Sequence, residues 1–394
     1  MFPLAALLSS GYLATYLLPT LVGRLSTDFA LSPTEAGAVG SLLLLASALT
    51  GTALAGRVHA VGAERLARIS LLALVGGFAL AAAAPVGDLP TLVAGCVVGG
   101  SGSGAAISVA ASCIAAERDP HRVTVLGLLV ASAVAGALYL TLPHLGGGHR
   151  LPFACIAAWG AFALLFMGRL TGERDSWEGP RALAPGRVRG RASGRSFGLV
   201  LAGGLVLWSM AQNALWGVSG RIGLERAGLS ETAVGLVFAL ALGAGLLGTV
   251  AAGALGGRFG RALPIGLGTA AIAGCVVLSS SARSAVPFAV GEIAWNTVYP
   301  FVLSYLLSLA ARLDRGGRLA VLVGSASSLG VACGPLAGTL LSVHAGFTGM
   351  GLVLGGSLLL VAFPLATVAR HTDEADRAVS AALPPVLAEA GAAV

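Results

Sequence analysis

Apolar residues in this chain fall into long runs, broken by short polar or glycine-rich segments. A hydrocarbon core about 30 Å thick takes about 20 helical residues to cross, each rising 1.5 Å. Measured with that ruler, the pattern predicts twelve crossings: 3–22, 35–55, 68–86, 89–115, 122–143, 151–169, 196–217, 230–255, 262–282, 285–309, 318–343 and 346–369. Helices are expected, because a lipid-exposed backbone must satisfy its own hydrogen bonds. A barrel would need short alternating segments, and these runs are too long and too uniformly apolar.

Composition agrees with the pattern. The chain has 394 residues, 56% hydrophobic and 10% charged, where a soluble domain carries about a quarter charged. So little polar surface cannot cover so apolar a core, which leaves lipid as the solvent. The 58 glycines suit close helix contact in a membrane. The five cysteines lie within apolar stretches and read as small packing residues rather than disulfides. The first run has neither a basic segment before it nor a clear small-residue cleavage site, so no cleavable signal is expected.

Every basic residue other than histidine is arginine, and their placement orients the chain. With the N-terminus inside, Arg57, Arg65, Arg68, Arg118, Arg122, Arg258, Arg261, Arg312, Arg315, Arg318, Arg370 and Arg377 fall in inner segments, as does a central run from Arg169 to Arg195. Only Arg24, Arg150, Arg221, Arg226 and Arg283 fall outside. This asymmetry predicts a multi-pass protein of the cytoplasmic membrane with both termini cytoplasmic. The chain then divides into a six-helix bundle (1–169), an Arg-rich cytoplasmic linker (170–195), a second six-helix bundle (196–370) and a cytoplasmic tail (371–394) with a short helix at most. Nucleic-acid binding is not needed to explain the arginines, since topology signalling already does.

Few polar side chains enter the spans. Glu292 is the one acidic residue placed well inside an apolar stretch. A charge at that depth costs about 2.5–3.5 kcal/mol on insertion scales, so such a residue reads as functional by default. The seventh span carries Ser209, Gln212, Asn213 and Trp216 at i, i+3, i+4, i+7, hence on one face. The tenth repeats that spacing with Glu292, Trp295, Asn296 and Tyr299. The first contributes Tyr12, Thr15 and Tyr16, and the fourth a weaker stripe of Ser101, Ser108 and Ser112. A competing reading makes these faces interhelical glue, since polar side chains in membranes bond neighbouring helices. Glu292 admits three roles: a substrate or proton site, one half of a buried pair, or a carboxylate shallow enough to reach outer water. Trp295 and Tyr299 offer ring faces to an organic cation.

Other motifs carry less. GGSGSGAA in the fourth span looks like a phosphate loop but lacks a preceding strand, so helix packing is the better reading. His144 and His149 have no carboxylate or cysteine partners nearby, and no metal or other cofactor is expected. Tyr16, Arg24 and Asp28 form a candidate gate network, with interface anchoring preferred. Pro287 and Pro300 bracket the polar face of the tenth span and are expected to bend it.

The two halves repeat. LAGRVHAVGAERLAR after the second span matches GALGGRFGRALPIG after the eighth, and AAERDPHRVTVLG after the fourth matches AARLDRGGRLAVLVG after the tenth. Together with the opening YLLPTLVGRLSTDFALSPTEAGAVGSLLLLASALTGTALAGR and the closing GVACGPLAG (330–338), these loops make the chain similar to major facilitator superfamily transporters over essentially its whole length. The resemblance implies an all-α membrane protein of twelve helices in two pseudo-symmetric bundles, working by alternating access. It implies a cavity lined by the first, fourth, seventh and tenth spans, hence by the polar faces above. It also implies cytoplasmic gate loops at Arg57, His59, Gly62, Arg258, Gly260 and Arg261.

The chain departs from the superfamily pattern at several points. His59 and Gly257 stand where the loop motifs carry aspartate, and Ala60 replaces an arginine. Cys96 replaces the fourth-span arginine of proton-coupled exporters, and the fifth-span Gly-Pro signature is missing around 132–136 while Gly334-Pro335 supplies one in the eleventh. The expectation is a monomeric secondary transporter of a small organic solute, not an enzyme. Export of an amphipathic or drug-like compound is favoured, with Glu292 the candidate for proton coupling. The alternatives are a nutrient or metabolite uptake carrier, and a receptor, regulator or enzyme on the same bundle that does not transport.

Overall fold

Helices in this chain start where short polar residues can take up unpaired backbone donors. Ser32 accepts from the Glu35 amide while the Glu35 carboxylate accepts from the Ser32 amide at 2.8 Å, a reciprocal cap with Pro33 at the first helical position. Asp88, Asp119 and Ser230 each accept from the backbone amide three residues on, the first two followed within two residues by proline. Glycine closes the segments: Gly62 (φ +95°) and Gly146 (φ +65°) hold backbone angles that side chains resist.

The structure, a computed structural model, describes residues 2–167, 192–313 and 318–382. Among these there is no strand. The first lobe holds α1 (Phe2–Tyr16), α2 (Leu18–Asp28), α3 (Pro33–Leu54), the short α4 (Val58–Val61), α5 (Ala63–Ala83), α6 (Leu89–Ile114), α7 (Pro120–Leu145) and α8 (Arg150–Met167). The second holds α9 (Ala192–Arg221), a π-helical turn at Ile222–Arg226, α10 (Glu231–Leu255), α11 (Ala262–Ser281), α12 (Ala285–Leu313) and α13 (Arg318–Ala382).

Ten of these helices are long and apolar enough to cross a membrane, and α1 with α2, bent by 46°, form an eleventh crossing. The 65-residue α13 is interrupted at Gly346, where φ is +67°. Unbroken it would be about 97 Å long, three times the hydrocarbon thickness. Its two parts, 318–345 and 347–382, are therefore separate crossings, which gives the twelve expected. Large apolar side chains such as Leu165, Leu360 and Phe363 lie at least 75% exposed, a surface that only lipid can cover.

Two details differ from expectation. The first crossing is broken at Leu17 rather than straight. The helix of the twelfth crossing runs on to Ala382, because Asp373 is held by the second lobe. The α12 helix passes through Pro300 without interruption. The proposed linker at 170–195 lies outside the described residues apart from 192–195, which begin α9, and the tail beyond 382 lies outside them too.

Small residues set the packing. Gly330, Gly334 and Gly338 recur every four residues on α13, and each places its backbone against α9. Any Cβ there would collide with Val206, Asn213 or Ala214, so the closing GVACGPLAG is a contact stripe. In the first lobe α6 is wedged likewise: Gly95, Gly99 and Gly102 meet α5, and Gly100 and Gly104 meet α3.

Candidate functional site

Pro19 breaks the first crossing where the lobes meet. It has no amide hydrogen and its ring obstructs the carbonyl four residues back, so the Thr15 carbonyl loses its helical donor. Trp216 of the second lobe supplies the replacement, its Nε1 donating to Thr15 O at 3.1 Å. One residue on, the Tyr139 hydroxyl donates to Tyr16 O at 2.6 Å. Pro335 opens α13 in the same manner, and the next amide, Leu336 N, donates to Ser41 Oγ of the first lobe at 2.9 Å. Each lobe thus exposes backbone at a proline, and two of these three bonds cross to the other lobe.

Around the first break lies a chain of rings. Trp216 has Phe238 at 5.0 Å, Trp295 at 5.7 Å and Tyr139 at 6.5 Å between centroids. Tyr299 continues the chain, 6.2 Å from Trp295 and stacked on Trp208 at 5.2 Å. The rings come from α7, α9, α10 and α12, hence from both lobes. Trp216, Trp295, Tyr139 and Phe238 are buried, whereas Tyr12, Tyr16 and Tyr299 are half-buried. Tyr12 sits 6.0 Å from Tyr16, and both lie within electrostatic range of Tyr299 across the lobes. The aromatic layer is therefore sealed on the side of the face carrying Asp28 and more open toward the face carrying Arg57.

The polar residues of α9 mostly bind inward. Gln212 accepts from Trp295 Nε1 at 3.0 Å and donates to Trp208 O, which locks the seventh and tenth crossings together. Ser209 pairs with Ser327 of α13 at 2.8 Å, and Asn213 donates to Ser209 O. Asn296 is half-buried and donates to Glu292 O.

Glu292 is fully buried. Ser219 of α9 donates to its Oε1 at 2.8 Å, while Oε2 has no hydrogen-bond partner. Ser279 of α11 sits beside the carboxyl, its own hydroxyl also unbonded, and Gly291 lets α11 approach that closely. Among the described residues no arginine forms an ion pair with this carboxyl, and the protein closes over it completely. Among the described residues no group of three or more histidine, cysteine or acidic side chains could hold a metal ion.

A family model for the Major Facilitator Superfamily matches residues 4–313 and 225–392, which together span nearly the whole sequence. The chain belongs to the Major Facilitator Superfamily. This makes it a membrane transporter of a small molecule, not an enzyme. No curated protein matches the sequence. Solved superfamily structures share the fold at low identity. A POT family transporter in complex with a thioalcohol-conjugated peptide aligns with a TM-score of 0.73 at 12% identity, covering 94% of this chain and 96% of its own. A D-xylose–proton symporter aligns at 0.71 and 16%, covering 92% and 95%. A bacterial homologue of the human lysosomal transporter Spinster, inward-facing and unoccupied, aligns at 0.69 and 15%, covering 95% and 96%.

Not every residue singled out in the sequence joins the centre of this superfamily carrier. On α6, Gly100 and Gly104 face α3, Gly99 and Gly102 face α5, and Ser103 and Ile107 face α1. At about 100° per residue, Ser101 and Ser108 fall on the remaining arc, away from α1. Among the loop residues, Arg57 and Arg258 are exposed, and the His59 side chain is outside the description. Gly62 and Gly260 hold positive φ, and Arg261 pairs with Asp373 at 2.9 Å.

Several central residues were not singled out in advance: Trp208, Ser219, Tyr139, Phe238, Ser279 and Ser327. Ser219 lies one step beyond the α9 stripe, and Trp208 four residues before Gln212, so extending the stripe by a turn each way would have found both. Tyr139 and Phe238 belong to helices with no polar face to mark them, while Ser279 and Ser327 stand in serine runs (279–281 and 325–328) without helical spacing.

Proposed function

We propose that this superfamily member is a secondary transporter of a small organic solute. It works by alternating access in the cytoplasmic membrane, with both termini cytoplasmic. The arginine asymmetry supports that orientation, which makes the Arg57 face cytoplasmic and the described conformation one sealed toward the outside. Both lobes of one chain supply the ring chain, which favours a monomer as the working unit.

The observation that carries the reading is the ring chain through Trp295 and Tyr299, with Asn296 on the same helix, Tyr16 of the first lobe within electrostatic range and the buried carboxyl of Glu292 one turn before. Large aromatic faces with few amides and no nearby cation suit an amphipathic solute better than a polyol or an anion. That chemistry favours export of a drug-like compound. Glu292 is the coupling group: proton binding would neutralise it where it lies, and release would require the aromatic layer to part.

Counterflow in proteoliposomes tests this. Exchange of amphipathic solutes is expected, with preference altered by Asn296→Ala or Tyr299→Ala in folded protein. Net uptake of a polar metabolite alone would overturn the export reading. Saturable binding without exchange of any solute would identify a receptor instead.

A further inference from the structure

The sealed pocket around Glu292 is short of hydrogen-bond donors, and how short depends on whether the carboxyl carries a proton. Ser219 has one hydroxyl hydrogen and two acceptors in reach, Glu292 Oε1 at 2.8 Å and Leu215 O at 3.0 Å. It serves one at a time. Glu292 Oε2 has no partner. An ionised carboxylate offers about four lone-pair positions, and here it would share one contested donor, a costly state for a buried charge. A protonated carboxyl suits the same atoms. It donates through Oε1 to Ser219, which then gives its own hydrogen to Leu215 O, or through Oε2 toward Ser279.

Ser279 breaks a habit of this chain. Ser9, Ser10, Ser70 and Ser103 are also buried in helices, and each donates to a carbonyl three or four residues back on its own helix. The Ser279 hydroxyl makes no such bond, although it is fully buried. It is turned instead toward α12, where a Cβ on Gly291 would collide with it, and it stands beside the Glu292 carboxyl. Ser280, the next residue, is equally buried and unbonded but faces Gly351 of α13. One hydroxyl of α9 and one of α11 thus flank the carboxyl of α12. Of ionisable groups, Tyr139 of α7 and Cys275 of α11 lie within electrostatic range. Among the described residues no charged side chain of α9, α10, α11 or α13 acts on the carboxyl.

We propose that Ser219 and Ser279 are positioning residues for this carboxyl, accepting from it while it holds the proton and donating to it once the proton has left, a role that rests on Glu292 being the coupling group. On loss of the proton, Ser219 turns from Leu215 O to Oε1 and Ser279 closes on Oε2. The ionised group then gains two donors without water. Removing either hydroxyl takes more from the ionised form than from the neutral one, because hydrogen bonds to a charge are roughly twice as strong.

The test follows the infrared band of the protonated carboxyl against pH in the full chain reconstituted in lipid, the band being assigned by its loss in Glu292→Gln. Flux driven by a pH gradient is measured on the same preparations. Ser219→Ala and Ser279→Ala should each raise the pH of half-protonation by about one unit, a tenfold gain in proton affinity. The pH of half-maximal flux should follow. Ser280→Ala, which removes a like hydroxyl from the same helix, should leave proton affinity within about twofold, and so should Ser219→Thr, which keeps a hydroxyl. A midpoint unmoved in Ser219→Ala or in Ser279→Ala, or moved equally by Ser280→Ala, would overturn the positioning role, as would a wild-type carboxyl that never titrates. Shifted carboxyl titration with an unshifted flux profile would uphold the two serines and remove Glu292 from the coupling step.

Discussion

Toward the Asp28 face, the lobes of this carrier meet through glycine, proline and aromatic rings. Gly37 of α3 faces Thr339 and Pro335 of α13, Gly235 of α10 faces the Tyr139 carbonyl of α7, and Arg24 reaches Glu231 at 2.7 Å. Toward the Arg57 face, the ends of the corresponding elements carry the exposed arginines Arg57, Arg118, Arg122 and Arg258, with the carboxylates of Glu64 and Asp119 among them. The first half can close because small residues let backbones touch. The second would have to close over charged side chains. What holds the closed half includes individually modest bonds to backbone groups beside prolines, a sum small enough for the proposed transport cycle to offset.

That contrast yields graded predictions. The largest effect is expected from Glu292→Gln, which keeps the shape of the buried side chain and removes its titration. Flux driven by a pH gradient in proteoliposomes should fall to background while the protein still purifies as folded. Undiminished gradient-driven flux would remove Glu292 from the coupling step.

Gly235→Val comes next. Its side chain would meet the Tyr139 carbonyl and push the lobes apart, and such overpacking costs about 1–3 kcal/mol. Spin-label distances across the Asp28 face should lengthen, with the Arg57 face narrowing in compensation. A lengthening on both faces would mean unfolding rather than switching.

Trp216→Phe keeps the ring contacts but abandons Thr15 O. One hydrogen bond is worth roughly 1 kcal/mol, about a fivefold change in the ratio of closed to open molecules. If the distance distribution does not move, the proline-released carbonyl contributes nothing to closure. Arg24→Gln should have the smallest effect, typically about twofold and at most about fivefold. Its partner Glu231 is half exposed, and such surface pairs contribute about 0.2–1 kcal/mol. A large shift there would mean that the ion pair, not the aromatic layer, is the principal latch.

The sequence disclosed the crossings because lipid imposes a length and an apolarity that side chains cannot disguise. It disclosed the α9 and α12 stripes because their spacing is helical and amides are otherwise rare. It could not show that Pro19 would break the first crossing, since the cost of a lost helical bond depends on whether Trp216 is there to replace it. Nor could it show which way α6 turns Ser101 and Ser108: the glycines around them dictate how α6 rotates, and only three neighbouring helices together fix that rotation. The extension of the final helix to Ala382 was hidden for a like reason, because its anchor, Asp373, binds a loop more than a hundred residues earlier in the chain.

The most direct measurement places spin labels in two pairs in a background without native cysteine. Thr27 with Leu224 reports the Asp28 face, and Arg118 with Arg258 the Arg57 face, all four positions being exposed. Without solute or a pH gradient, the first pair should give a short, narrow distance distribution and the second a long, broad one, with Trp216→Phe widening the first. A long distance at Thr27–Leu224 with a short one at Arg118–Arg258 would contradict the account at its centre.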